Sequence, residues 1–336
     1  MRPSNVWVVG DTCRPDSRAV DGSLVSVVMP AHDEEHTIGG AIESILQQGV
    51  DGLEIIVVTD RCSDQTAHVA AAYPGVRVVA CEGAGLVDAL NTGIRQSREI
   101  IVRLDADDRH HLHAVGRPVG PMLANPALAV VGGGTREVTQ DGELIEVVAP
   151  AADERHAAFI LMITPAFGHS AVAFRRDVVV ANGGYRGGPT IHAEDYDLWS
   201  RLVAAGVAMR GIDVVVADRV VTKESVSARQ WEEQAASSRR VSDRAIELWG
   251  LHDRPFRRIV ALGREVGGRQ RQRLQVICVR LARRCLSRRA VVPMVALTGA
   301  GLALRPRSMI SGTLAMRRNA ARYREIWDVQ RLKRTT

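Results

Sequence analysis

The chain alternates between short continuous apolar runs and longer segments whose apolar residues recur at helical spacing. "LVSVVMP" (24–30), "LEIIVVTD" (53–60), "VRVVA" (76–80) and the apolar part of "EIIVRLDADD" (99–104) read as strands, rich in β-branched residues and closed by proline or polar residues. Between them, residues 34–48 place Ile38, Ile42, Ile45 and Leu46 on one helical face. "SDQTAHVAAAY" starts a second helix with Ser63 or Asp64 as its cap, and 86–97 forms a third. Strand–helix alternation with uninterrupted apolar strands predicts an α/β fold, a mostly parallel sheet flanked by helices.

The second half is less regular. Residues 128–148 read as two strands around an Asp141–Gly142 turn, 153–164 as a helix, and 169–174 as a short strand. Residues 194–206 predict a helix ended by Gly206, and 207–216 a last strand. The glycine triplet 132–134 lacks the strand-to-helix context of a dinucleotide fingerprint, so it predicts a strand bend or a close approach to the donor. From about residue 227 the chain reads as helical. Three parts follow: an extension over 1–23, a catalytic-sized domain over 24–225, and a C-terminal region over 226–336. No internal repeat is visible.

Charge separates these parts. The net +6 combines 21 Lys and Arg against 4 Asp and Glu in residues 251–336 with 23 against 34 in the first 250. Apolar positions among the arginines of 251–289, and the interrupted apolar run 290–304, predict a basic helical extension suited to an anionic membrane surface. That run holds Pro293, Gly299 and Gly301 and is too short for a span. Residues 1–23 carry six charges and predict no secretory leader. Five scattered cysteines without a CxxC pair argue against a disulfide framework or structural zinc and fit a reducing cytoplasm. Aromatic residues make up only 4%, and the basic tail lacks interleaved aromatics, so no nucleic-acid partner is expected.

Three predicted strands end in acids: "PAHDEE", "VTDRCSD" and "RLDADD". In open α/β sheets ligands collect at the carboxyl ends of strands. That edge gathers Asp33, Glu34, Asp60, Asp64, Asp105, Asp107 and Asp108. Asp33 and Asp64 serve equally well as helix caps, but three carboxylates within four positions at 105–108 ask for a positive partner. A divalent cation carried by a diphosphate is one, since Mg²⁺ or Mn²⁺ binds through one or two carboxylates plus phosphate oxygens.

These motifs, followed in order by "GLVDALNTGIRQSREIIVRLDADD", "FGHSAVAFRRDVVVANGGY" and "EDYDLWSRL", resemble the family-2 glycosyltransferases over residues 24–215. The resemblance implies a GT-A fold, a nucleotide-sugar donor (UDP-, GDP- or dTDP-linked) and inversion at the anomeric carbon. By position it implies that Pro30, Ala31, His32, Asp33 and Glu35 wall the base and ribose, with Asp60 on the nucleobase and Asn91 on the donor side. It implies Asp105 and Asp107 as ribose and metal carboxylates, Asp107 being the metal ligand, and Asp195 as general base with Glu194 beside it. The chain departs from the family pattern at His32–Asp33, at "TDRCSD", at Leu90, and at "VTKESVS", where Lys223 stands in for the distal phosphate contact.

Other residues offer further chemistry. His110, His111 and His113 offer metal ligands or a solvated helix start; His169 and His192 offer acceptor contacts or structural roles; Trp199 offers core packing behind the Glu194–Asp195 turn, or a surface for sugar stacking. The leading expectation is an inverting, metal-dependent transferase moving a sugar to a hydroxyl of a glycolipid or polysaccharide, peripheral at the cytoplasmic face of the plasma membrane. A nucleotidyltransferase also uses an acidic strand edge with Mg²⁺, but calls for a basic glycine-rich loop where this chain has "AHDEEHT". A non-catalytic nucleotide-sugar-binding protein is the third reading.

Overall fold

The computed structural model describes residues 20–151, 157, 161, 165–222 and 230–248. In the first half, β1 (Val25–Ala31), α1 (Ile38–Leu46), β2 (Glu54–Thr59), α2 (Thr66–Ala71), β3 (Val76–Ala80), α3 (Leu86–Gln96) and β4 (Ile100–Arg103) alternate as the apolar pattern predicts. All seven residues of β1 and all four of β4 are buried, which is why these strands read as unbroken apolar runs. The order among the described strands is β3-β2-β1-β4-β8-β6-β9-β5. Here β5 is Arg109–His110, β6 Val130–Val138, β7 Leu144–Val148, β8 Val172–Arg175 and β9 Met209–Val220, with β7 pairing on β6.

Pairing is parallel for β1–β2, β1–β4, β2–β3 and β6–β9, and antiparallel for β4–β8, β6–β8, β6–β7 and β5–β9. Six of the nine strands therefore run one way, and the sheet is mostly parallel. The core packs α1 against it, with Ile38, Ile42 and Ile45 meeting Val25, Val27, Met29 and Val102. Among the described residues the remaining helices are α4 (Gly116–Ala124), α5 (Arg176–Ala181), α6 (Glu194–Ala204) and α7 (Trp231–Leu248).

Several expectations shift. The first helix begins at Ile38 rather than 34: Asp33 at φ 55° swings the chain out of helical space, residues 35–37 form a turn anchored to Asp64 and Thr66, and Thr37 becomes the N-cap. Helix α4 escapes the periodicity reading because Pro118 and Pro121 lie inside it. The last strand runs four residues further than predicted, to Val220. The strands around Asp141–Gly142 form as expected, with Gly142 at φ 80° in the turn. In β6 the glycine triplet coincides with the expected irregularity, since the pairing to β9 shifts register there; the close approach at Gly132 is to the Phe167 ring, which a Cβ would strike, and not to a donor. Of the helix predicted over 153–164 only residues 157 and 161 are described, and the 225/226 boundary and Lys223 lie outside the described residues.

Candidate active site

The site forms where β1, β2 and β4 end. At β1 and β2 the two following loops bind one another. Ser63 N donates to Asp33 Oδ1 at 2.6 Å and Gln65 N to Glu35 Oε2 at 2.9 Å. In the other direction Glu35 N donates to Asp64 Oδ2 at 2.9 Å and Glu34 N to Thr66 Oγ1 at 2.7 Å. Asp64 also accepts from Thr66 N at 2.9 Å, the first residue of α2. Asp33 and Asp64 are thus occupied by backbone amides, but neither is the cap of the helix that follows it: the N-cap residues are Thr37 for α1 and Gln65 for α2, neither with a side-chain cap bond, because the two acids are engaged in holding the loops together. With Cys62 they make the one close three-donor group among the described residues that could hold a metal ion, but both carboxylates already have partners. Pro30 and Ala31 close β1, and His32 Nδ1 lies 2.6 Å from the Asp60 carbonyl. Asp60 is buried, and its Oδ2 accepts from Gly85 N at 2.7 Å, just ahead of α3.

The acids after β4 are organised by strands from elsewhere in the chain. Antiparallel register on β8 pairs Val102 with Ala173, which carries the chain back to Ser170 beside Asp105. Ser170 Oγ lies 2.8 Å from Asp105 Oδ2 and 2.5 Å from Asp108 Oδ2, and it accepts from Asp105 N at 3.1 Å. Val220 N, at the end of β9, donates to Asp108 Oδ1 at 3.1 Å. Asp108 is a buried structural acid. Arg103, fully buried at the end of β4, donates through Nη2 to Asp105 Oδ1.

Electrostatics separate these carboxylates. Burial pushes Asp105 up, but the charge and hydrogen bond of Arg103 hold it well below the usual carboxylate range. Asp107 is pushed up to about 7, first by burial and then by the charges of Asp105 and Glu34. Asp108 is raised by burial and by both neighbours. Glu34 is raised by burial, with Asp105 and Asp64 adding to it.

Helix α6 brings the second half of the site. Its first turn holds Glu194 and Asp195; burial raises Glu194 to about 7, with Asp195 adding to the shift. Asp195 is raised to about 6 by burial, and the charge of Asp105 also reaches it. Positions 105 and 195, remote in sequence, therefore share one field. Trp199 lies fully buried behind this turn, against Phe167 at 6.0 Å and Phe174 at 6.2 Å between ring centroids. His169 Nε2 lies 2.8 Å from the Tyr185 hydroxyl, and burial lowers its pKa to about 3. Asn91 binds the Tyr185 backbone at both ends, Nδ2 to O and Oδ1 from N, each at 2.9 Å. His192, at φ 62°, lies 3.6 Å from Glu233 of α7.

The solvated helix start at 110–113 is not what forms. His110 is buried in β5, with Nε2 2.9 Å from the Ser170 carbonyl, and His111 Nε2 lies 2.7 Å from Asp218 Oδ1. The chain turns back after Asp108 to pair with β9, so these rings serve the sheet edge. A polar cleft of about 290 Å³ lies beside them, lined by Gly40, Glu43, Arg109, His111 and Asp218; none of the acids at 105, 107, 194 and 195 lines it. Sequence reasoning missed Arg103, Ser170 and Arg219, whose charge is felt at Asp105, Asp107 and Asp108. For Arg103 a signal existed: one arginine inside "IIVRL" is out of place in a buried strand.

The sequence profile described as glycosyl transferase family 2 matches residues 26–181. An O-antigen biosynthesis glycosyltransferase of Escherichia coli, WbnJ, is 30% identical over 187 residues, covering 54% of this chain and 72% of that protein. A second Escherichia coli protein, the UDP-Glc:alpha-D-GlcNAc-diphosphoundecaprenol beta-1,3-glucosyltransferase WfgD, is 25% identical, covering 64% of this chain and 83% of its own length. Among solved structures, Staphylococcus aureus TarS 1–349 superposes with a TM-score of 0.49 at 15% identity, covering 82% of this chain and 90% of that one. With the length and identity shared with WbnJ, the mostly parallel α/β sheet and the acids gathered at its edge, the chain belongs to glycosyl transferase family 2 and is a nucleotide-sugar glycosyltransferase.

Proposed function

We propose that the protein is an inverting, metal-dependent transferase that moves a sugar from a nucleotide donor to a hydroxyl of a glycolipid or polysaccharide acceptor of the cell envelope. The observation that carries this is the shared field of two acid pairs from distant segments: Asp105 and Asp107 after β4, Glu194 and Asp195 on α6. The first pair suits a hard divalent cation. Asp105 is kept ionised by Arg103, while Asp107 is disfavoured as an anion first by burial and then by the charges of Asp105 and Glu34, a cost that a Mg²⁺ or Mn²⁺ would offset. When bound, such a cation would offset the charge developing on the diphosphate leaving group.

The chain's own residues account for the rest. Asp195 takes the proton of the acceptor hydroxyl as the new bond forms, and a pKa near 6 suits a base working close to neutrality. Pro30, Ala31, His32, Asp33, Glu35 and Asp60 form the wall for the base and ribose, pre-set by the bonds between the two loops. Asn91 acts at one remove, fixing Tyr185, which packs on His169 at the acceptor side. The names of WbnJ and WfgD support envelope glycans and lipid-linked acceptors as the substrate class. The basic residues of 251–336 support a peripheral place on an anionic membrane surface; among the described residues no helix is long and apolar enough to cross one.

The test is nucleotide release over a panel of UDP-, GDP- and dTDP-sugars, with Mn²⁺ and with chelator. Sugar-nucleotide turnover that needs the cation and is lost in Asp107→Asn supports the reading. Turnover indifferent to both chelator and Asp107→Asn would overturn the metal role.

A further inference from the structure

We infer that Arg103 is a positioning residue of the nucleotide site, holding the Asp105 carboxylate in the orientation in which it and Asp107 receive a cation-bound nucleoside diphosphate. This rests on the function proposed above. Arg103 occupies a position where an apolar residue would be the stable choice: it is 0% exposed, between Val102 and Leu104, in a strand flanked by β1 and β8. Burying a guanidinium carries a large desolvation cost unless its donors are all satisfied. They are not. Nη2 reaches Asp105, but Nε and Nη1 have no hydrogen-bond partner among the described residues.

Two other arginines of the same chain show what a structural role looks like. Arg175 places Nε on the Leu128 carbonyl at 3.2 Å, Nη1 on Glu99 at 2.6 Å and Nη2 on the Met122 carbonyl at 2.8 Å. Arg201 likewise engages Asp197, the Asn182 carbonyl and the Gly184 carbonyl. Arg175 ties β8 to Glu99 and to the 122–128 stretch, and Arg201 pins α6 to the 182–184 turn, each with all three of its guanidinium nitrogens engaged. Arg103 ties down one atom, the Asp105 oxygen that Ser170 does not hold.

The result is a carboxylate gripped on both sides, Oδ1 by Arg103 and Oδ2 by Ser170 at 2.8 Å. A carboxylate so held keeps its plane when a ligand arrives, which spares the entropy of fixing it then. The charge of Arg103 also acts on His169, Tyr185, Glu194 and Asp195, so it lies centrally in the site. A cation that served only to cancel acidic charge would oppose a second, divalent cation. A positioning residue would assist it. The two roles therefore predict opposite signs on removal.

The experiment uses full-length Arg103→Met, Arg103→Lys, Asp105→Asn and the Arg103→Met/Asp105→Asn double variant, with near-ultraviolet circular dichroism to establish the fold. Calorimetry measures Mn²⁺ together with whichever of UDP, GDP and dTDP binds the wild type. Arg103→Met is expected to weaken Mn²⁺–nucleotide binding by about tenfold or more, the scale of one charge-assisted hydrogen bond. It should add nothing further in the Asp105→Asn background, because it acts through that residue. If Arg103→Met does not fold, Arg103→Lys carries the same expectation, since an ammonium keeps the charge but not the fork. Unchanged or tighter binding in a folded variant overturns the inference, as does a loss that adds fully to that of Asp105→Asn. A wild type that binds none of the three nucleotides with Mn²⁺ instead removes the functional reading, and the inference with it.

Discussion

Asp107 should weaken the fold that it serves. Its carboxyl is raised from 3.8 to about 7 by burial and by the charges of Asp105 and Glu34. A shift of roughly three units at about 1.4 kcal/mol each sets an upper bound of about 4 kcal/mol for ionising it in the folded protein. The side chain is partly exposed and its field is shared with two other acids, so we take about half, roughly 2 kcal/mol. The sign follows from proton binding: between about pH 4 and 7 the folded state holds a proton that the unfolded chain has released, so stability falls as pH rises through that window. Asp107→Asn removes this loss. At pH 8 without added cation, the variant should melt about 4–8 °C above wild type, taking 2–4 °C per kcal/mol for a domain of this size. The gap should close as pH falls toward 4. Adding Mn²⁺ with nucleotide should raise the wild type's melting temperature and leave the variant's unmoved. Thermal melts by circular dichroism across pH 4–8 read all three effects. A variant that melts at or below wild type at pH 8, or gains equally from Mn²⁺, would refute the reasoning.

Other outcomes follow from the same geometry. Asp195→Asn should retain Mn²⁺-dependent nucleotide binding yet lose transfer by about 10²–10⁴-fold, and the wild-type rate should fall as pH drops below about 6, where the base protonates; unchanged transfer with loss in Glu194→Gln would move the base by one residue. Ser170→Ala strips the shared hydroxyl from buried Asp108 and from Asp105, costing about 1–3 kcal/mol in urea denaturation; an unchanged midpoint contradicts that bridge. Full-length protein should sediment with anionic vesicles, stay in solution with neutral ones, and release in high salt; equal sedimentation with both lipids counts against the basic region as the contact.

The sheet was legible where burial is two-sided. Strands β1, β2 and β4 carry their own signature, and the acids that follow them fall at one edge by topology alone. Less visible was anything that depends on antiparallel return. Ser170 comes to Asp105 only because β8 runs back along β4, and Val220 comes to Asp108 only through the β5–β9 pairing. No periodicity encodes such meetings. Helix α4 was hidden by its prolines, and His110 looked solvated because a two-residue strand has no pattern to show. Arg103 does leave a trace, a single charge inside an otherwise β-branched run, but nothing in that run says which carboxylate it meets.

The crossed bonds between the loops after β1 and β2 have an evolutionary reading. Asp33 and Glu35 serve amides of the second loop, while Asp64 and Thr66 serve amides of the first. Neither loop has a complete set of partners of its own, so a change in one alters the fitness of changes in the other. Drift at these four positions should therefore be epistatic: once one bond is lost the two loops part more easily, so a second loss costs a different amount than it would alone. A pairwise mutational scan of positions 33, 35, 64 and 66 would display the donor wall as one inherited unit, transmitted and altered as a pair of loops.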